Sequence, residues 1–511
     1  MTNKQKIENL SEGTLSYCRQ WVKKDDNGNF IFVDPIDNVE ISAHYGATHA
    51  AAAFILFGLK KGDDDIYKLG INLLGGILQK WNVNKKLNAF HFDFNNFALC
   101  VAYDAIEEKE PKLSNKIKKT VLSTPDSNHD TINWLPMRWY VNRRRYNWTK
   151  NLKYKSIINH CRSTIKAATN NDGGIEDVLP KGTSFNLQYD VATASILQFL
   201  RIKGEEYDLS KELGFLINAT APDGDINYQG RGTNQIFGWS NWIYLLSSSG
   251  KEIVLQQSLD YIYDKVPIML SNRNIMLNEW DGSEKFLWWD YHYCSVYTAH
   301  FLFWLMLSIE DYNKKTIDEN TIVDFSSGLK IFKTNEYFVS LFEGRKKYLA
   351  EQGPIIVALW TKSWGTIIKA SFAPWQGMFG NNYSFSEIAI RNFFGLLEVK
   401  QNRDWNQNRW IRKFVPNIHS NASVLYKPLL VPIEVEFNKN EIVVHFINAS
   451  KSSVQLNIPS RVALMKHISV DADNENIKLH NVMNIRDQYS MINIFQTNPV
   501  KAKHWIIKIF I

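Results

Sequence analysis

Residues 44–58 read HYGATHAAAAFILFG: a head of His44, Tyr45 and His49, then an uncharged run of small, aliphatic and aromatic residues. The same layout returns in DFNNFALCVAYDAI from 93, YDVATASILQFLRIKG from 189, IFGWSNWIYLLSSSG from 236 and YHYCSVYTAHFLFWLML from 291. These starts fall at multiples of roughly 50 residues, which is the mark of a helical repeat. A further slot lies near 140–150, where RWYVNRRRYNW precedes a weaker helix, so about six units are expected.

Between the apolar runs lie polar stretches with apolar residues at three and four spacing, such as KLSNKIKKTVLS from 112 and NLKYKSIINHCRSTIKAATN from 151. One apolar and one amphipathic helix per unit predicts an inner and an outer ring. Asp-Gly turns also repeat, as NNDGGIEDV from 170 and APDGDINYQ from 221, each ahead of an apolar helix. From about residue 325 the period changes. YFVSLFEG, GPIIVALWTK, PIEVEFNKNEIVVHFINAS and HWIIKIFI are short, β-branched and aromatic runs bounded by Gly, Asn, Asp and Pro. The expected fold is therefore α+β and multidomain: an (α/α) toroid of about six helical hairpins over 1–324, then an antiparallel β-sandwich over 325–511.

Composition narrows the function classes. The chain has 511 residues, 45% of them hydrophobic and 22% charged, with Trp 17, Tyr 22 and Phe 29. Aromatic planes suit both a large core and a sugar-binding cleft. A net charge of +7 is mild for this length, and no nucleic-acid module is present, so nucleic acid is not an expected partner. The longest apolar runs, such as FLFWLML at 301–307, are far short of a membrane span. Cys18, Cys100, Cys161 and Cys294 form no C-x-x-C, and MTNKQKIENLSEGT has no apolar core after its lysines. A reducing, cytoplasmic setting is the expectation.

A toroid binds ligands where its inner helix heads converge, and those heads are polar. They carry His44, Tyr45, His49, His91, Asp93, Asn95, Asn96, Asn186, Tyr189, Tyr228, Arg231, Asn234, Gln235, Asp290, His292 and Tyr293. No phosphate-cradling loop or dinucleotide fingerprint is present, and the histidine spacings do not make a metal set, so neither metal nor cofactor is expected. Tyr, His, Asn and Arg are the equipment for β-elimination beside a uronic acid. An amide or cation neutralises the carboxylate, a base takes the C5 proton, and an acid protonates the leaving O4. In NYQGRGTNQIFGW, residues 227–239, Arg231 stands three residues from Tyr228, where a cation would depress the phenol's pKa.

HFDFNNFA from 91, NYQGRGTNQIFG from 227 and WWDYHYCSVYTAHFLFWL from 288, on a helical toroid with a β-sandwich behind it, resemble the heparinase II/III-like and alginate-lyase-like polysaccharide lyases. The resemblance implies metal-independent β-elimination on an acidic polysaccharide or oligosaccharide. It implies Tyr228 as acid, His91 as base or carboxylate neutraliser, Asn95 or Asn96 as neutraliser, His292 as a second base and Arg231 on the substrate acid. Asn234, Tyr189 and Tyr293 join them as substrate-binding residues.

Each assignment has a plainer counterpart. Tyr228 and Arg231 could brace a loop, His91 could be a hydrogen-bonded core histidine, and Asn95 and Asn96 could cap a helix. RRRY at 143–146 suits a solvated face, and Trp288 and Trp289 suit a core. The rival chemistry is glycoside hydrolysis by paired carboxylates among Asp172, Asp177, Asp223, Asp225, Glu279 and Asp281. A glycan-binding protein without turnover is the third reading.

Overall fold

The computed structural model describes residues 1–36, 38–42, 44–83, 91–182, 185–229, 236–272, 293–313, 323–324, 328–334, 336–342, 356–369, 430–438, 441–448, 457–460, 468–486, 491–498 and 500–510. Helices come first: α1 (Asn3–Cys18), α2 (Gly46–Lys61), α3 (Asp64–Val83), α4 (Phe92–Ile106), α5 (Pro111–Ser123), α6 (Leu135–Thr149), α7 (Leu152–Ala168), α8 (Leu187–Ile202), α9 (Ser210–Ala219), α10 (Ile236–Ser249), α11 (Glu252–Ile262), α12 (Lys265–Ser271) and α13 (Cys294–Glu310).

Six of these helices form a closed circuit. α2 packs on α4, α4 on α6, α6 on α8, α8 on α10, α10 on α13, and α13 returns to α2. The apolar runs are these inner helices. On α8 every residue from Leu187 to Leu200 is buried, and on α13 every residue from Cys294 to Ile309. The slot near 140 is filled by α6 itself, with RWYVNRRRYNW inside the inner helix rather than ahead of it. Outside them lie α3 on α2, α5 on α4, α7 on α6, α9 on α8, α11 on α10 and α1 on α13. The amino-terminal helix thus pairs with the last inner one.

The two Asp-Gly turns are the same device used twice. Gly173 and Gly224 have φ of +102° and +90°, a region that only glycine enters without strain. A Cβ on Gly173 would lie 2.3 Å from the Lys211 carbonyl oxygen of α9, and one on Gly224 would lie 2.3 Å from the Gln257 carbonyl carbon of α11. Each glycine therefore lets a turn press against the backbone of the next outer helix. Asp172 and Asp223 shape these turns by accepting from the N–H groups of Gly174 and Asp225.

Strands follow, after the short pair β1 (Val22–Lys24) and β2 (Phe30–Phe32). β3 (Val323–Asp324), β4 (Leu329–Lys333), β5 (Tyr337–Phe342), β6 (Ile356–Thr361) and β7 (Gly365–Lys369) make an antiparallel sheet in chain order. β8 (Leu430–Asn438), β9 (Glu441–Asn448), β11 (Ile468–Ala472), β12 (Glu475–Ile477) and β15 (His504–Phe510) make a second, in the order β12-β11-β15-β9-β8. β10 (Asn457–Ser460), β13 (His480–Arg486) and β14 (Met491–Gln496) make a third.

The first sheet is buried on both faces, and its period-two pattern sorts side chains between two cores. Val339, Leu341 and Leu359 pack with Val444, Phe446, Val470, Trp505 and Ile507 of the second sheet. Leu329, Ile331, Phe338 and Ala358 join the core of the helices instead. Docking is also polar, since Lys333 Nζ donates to the Thr220 carbonyl oxygen at 2.8 Å and the Thr366 hydroxyl to Asp223 at 3.0 Å.

Gly224→Ala should cost about 2 kcal/mol or more in a denaturation titration, because a strained φ and a backbone clash add. Gly28→Ala, at φ +77° with open space around it, should cost about 1 kcal/mol. Equal costs would show that Gly224 is not a contact point between turn and helix.

Candidate functional site

The inner helix heads meet at one end of the circuit and bring aromatic and imidazole rings together. His44 precedes α2, and its ring centroid lies 4.3 Å from that of His91 and 4.8 Å from that of Tyr293. His91 is the residue before α4 and Tyr293 the residue before α13. Tyr45 stacks on Phe94 at 4.4 Å with an interplanar angle of 10°. Trp134, ahead of α6, lies 5.8 Å from His91 and 5.5 Å from Phe94. His44 and Phe94 are half-buried, whereas Tyr45, His91, Trp134 and Tyr293 are buried. Beside His44 is a cavity of about 30 Å³ lined by Phe32, Ile77, Trp81, Lys80 and Glu40 among others.

Beneath the cluster lies a second pair of imidazoles. His49 and His300 are buried and stacked, with centroids 5.2 Å apart. His49 Nδ1 faces the Tyr45 carbonyl oxygen at 3.0 Å, so it carries the proton. His300 Nε2 faces Asn241 Oδ1 at 2.9 Å, and Asn241 Nδ2 donates to the Ser195 hydroxyl at 2.8 Å. This relay ties α13 to α10 and α8. Burial holds the His49 imidazole neutral, lowering its pKa to about 3. His300 is lowered well below its ordinary value by burial and by His49 beside it.

The expected residues are distributed as follows. His91, Tyr293 and Tyr189 lie at helix heads, and the first two share the His44 contact surface. Asn95 accepts from the Thr48 hydroxyl at 2.8 Å and donates to the His91 carbonyl oxygen at 2.9 Å, bracing α4 against α2. Asn96 is buried, and its Nδ2 has no hydrogen-bond partner among the described residues. The Asn95 amide is thus engaged within the helices in this arrangement. His292, Arg231 and Asn234 lie outside the described residues, as do Trp288, Trp289, Glu279 and Asp281.

Tyr228 departs most from the sequence expectation. It is fully buried, its hydroxyl donates to the Ala219 carbonyl oxygen at 2.7 Å, and its ring meets Phe338 of β5 edge-on at 5.9 Å. Burial raises its pKa above the ordinary phenol value, opposite to the depression expected beside a cation. The turn that carries Tyr228 is the seat of the first β-sheet.

RRRY at 143–146 is likewise structural. Arg145 is buried, holding Asp126 and the carbonyl oxygens of Val121 and Thr124. Arg143 pairs with Glu205 and Arg144 with Asp104. Arg138 grips Asp93 at 3.0 Å, Asp130 at 2.7 Å and the carbonyl oxygens of Ser127 and His129. α6 thereby fixes the segment leading to Trp134. All four cysteines are buried and free, and among the described residues no group of three or more His, Cys, Asp or Glu is placed to hold a metal.

Sequence reasoning left His44 and His49 without assigned roles and passed over His300 and Asn241. His300 sits six residues into an otherwise apolar helix, and only its interval from Tyr293, about two helical turns along one face, hinted at a shared surface.

The buried imidazoles make stability pH-dependent. In the native protein they stay neutral, while an unfolded chain protonates them below pH about 6.5. The unfolded state then binds more protons, so stability falls as pH drops from 6.5 toward 3. Between pH 7.5 and 5, His49→Phe should lose stability less steeply than wild type in urea titrations, by up to about 1.4 kcal/mol per pH unit. Parallel slopes would show that His49 is not buried neutral.

No protein-family model and no curated protein matches this chain. Among solved structures it is similar to a family 76 glycoside hydrolase from a bovine Bacteroides thetaiotaomicron strain, at 9% identity over 60% of this chain and 78% of that one, with a TM-score of 0.41. It is similar to a polysaccharide lyase at 11% identity over 61% and 98%, with a TM-score of 0.40. A third is an unsaturated glucuronyl hydrolase from Streptococcus agalactiae, at 10% identity over 62% and 92%, with a TM-score of 0.38. These likenesses are too distant to assign a fold or an activity.

Proposed function

We propose that this protein is a glycan-cleaving enzyme, a polysaccharide lyase acting by β-elimination beside a uronic acid, on an (α/α) toroid of about six hairpins backed by a β-sandwich. The observation that carries the reading is the contact of half-buried His44 with both His91 and Tyr293, ring centroids 4.3 and 4.8 Å apart, where the helix heads meet. An imidazole beside a phenol supplies a base and an acid within reach of one bond.

In this reading His91 or His44 takes the C5 proton and Tyr293 protonates the leaving O4. Tyr293 replaces Tyr228, whose hydroxyl is engaged under the sheet. Phe94, half-buried beside Trp134, offers apolar surface to a sugar ring. Arg231 remains the proposed partner of the carboxylate, with Asn234 and Tyr189 beside the substrate. Paired-carboxylate hydrolysis is less favoured, because Asp172, Asp223 and Asp225 each accept a backbone N–H within a turn.

Incubation with a panel of acidic polysaccharides should produce an unsaturated uronate absorbing in the near ultraviolet, undiminished by chelator. Tyr293→Phe and His91→Asn should each lower the rate by about 10²-fold or more. Tyr228→Phe should keep its turnover and lose about 1 kcal/mol of stability. New reducing ends without absorbance would overturn the lyase in favour of hydrolysis. Loss of turnover in Tyr228→Phe alone would return the acid to that position.

A further inference from the structure

Charge is unevenly placed on the outer helices. α5 and α7 each carry four Lys or Arg and no Asp or Glu. The other outer helices of the circuit all carry carboxylates: Glu8 and Glu12 on α1, Asp64 and Asp65 on α3, Glu212 on α9, Glu252 and Asp260 on α11. The two acid-free helices are neighbours that both pack on α6. Arg145 links them, holding the Val121 and Thr124 carbonyl oxygens at the end of α5 while its guanidinium lies 5.9 Å from the Tyr154 ring of α7.

On each helix the cations form one stripe. Lys112, Lys116 and Lys119 are exposed at intervals of four and three on α5, and Lys155, Asn159, Arg162 and Lys166 are exposed at four, three and four on α7. That spacing puts each set on a single helix face, with a charge or amide every about 5–6 Å. None of these cations enters an ion pair among the described residues. The nearby carboxylates of the loop between α5 and α6 are already occupied: Asp126 by Arg145 and Asn142, Asp130 by Arg138 and His160. Glu107, Glu108 and Glu110 lie at the corner before α5, and Arg162 of the α7 stripe donates to the backbone carbonyl oxygen of exposed Glu206 at 3.2 Å.

The α7 stripe has a direction. It ends at Lys166, and the chain then enters the 169–175 turn, where the Ile175 N–H donates to Asp190 on the first turn of α8 at 3.1 Å. It therefore runs toward the end where the inner helix heads meet.

From this we propose that the face formed by α5 and α7 is a secondary binding track for an acidic polysaccharide, guiding the chain toward the helix heads. The choice of a polysaccharide over other polyanions rests on the proposed lyase reading. The lysine rows supply charge attraction along an extended polyanion, a salt-dependent interaction that raises local substrate concentration.

The test uses the full chain and polygalacturonate as probe, in affinity electrophoresis, beside a variant with Lys112→Gln, Lys116→Gln, Lys119→Gln, Lys155→Gln and Lys166→Gln. All five positions are exposed, so the fold should persist, as circular dichroism would verify. Wild type should be retarded by polygalacturonate in a salt-sensitive way, and the variant should bind at least about tenfold more weakly. Cleavage of a short oligouronide, too short to reach the track, should be unchanged in the variant. That assay separates the two claims, since lysine-dependent retardation supports the track even if the oligouronide is not cleaved. Equal retardation of wild type and variant would overturn the track. So would wild-type binding to duplex DNA or anionic vesicles without binding to polygalacturonate.

Discussion

An apolar helix with no polar face is stable in water only when protein surrounds it. α8, α10 and α13 are such helices, and closing the circuit of α13 on α2 is what encloses them. With the circuit closed, each inner helix has two inner neighbours, an amphipathic helix behind and aromatic side chains in front. Phe97 shows the density, stacking on Trp304 at 5.9 Å and meeting Phe199 edge-on at 5.2 Å. The alternation of inner and outer helices also turns every inner head to the same end. The gathering of His44, His91, Trp134 and Tyr293 is thus a by-product of the repeat rather than a separate construction.

Most of the inner helices were legible because burial on all sides favours long apolar runs, which stand out in a sequence, whereas α6 carries Arg138, Arg143, Arg144 and Arg145 and was placed by the repeat interval alone. The Asp-Gly turns were legible for a related reason, as Gly173 and Gly224 occupy positions that no other residue fills without strain. The last described helix ends at Glu310 and the next described strand begins at Val323, close to where alternating β-branched residues replace helical spacing.

The site was legible only in part. A polar residue on a turn between two helices can face a cleft or lie beneath another layer, and the local sequence is the same in both cases. Tyr228 went under the sheet because Phe338 and Ala219, more than a hundred residues apart in the chain, meet there. Asn95 was drawn into a brace by Thr48 on a different helix. The His300–Asn241–Ser195 relay was hidden because its members stand on three different helices, and only the packing of those helices brings them into contact.

The central claim is that the inner helix heads, and not the turn beneath the sheet, receive the ligand. Hydrogen–deuterium exchange of the full chain with and without a saturating oligouronide tests it directly. Protection is expected over residues 44–49, 91–96, 132–135 and 293–297. Protection confined to residues 220–228 and to β4, β5 and β7, with the helix heads unchanged, would contradict it.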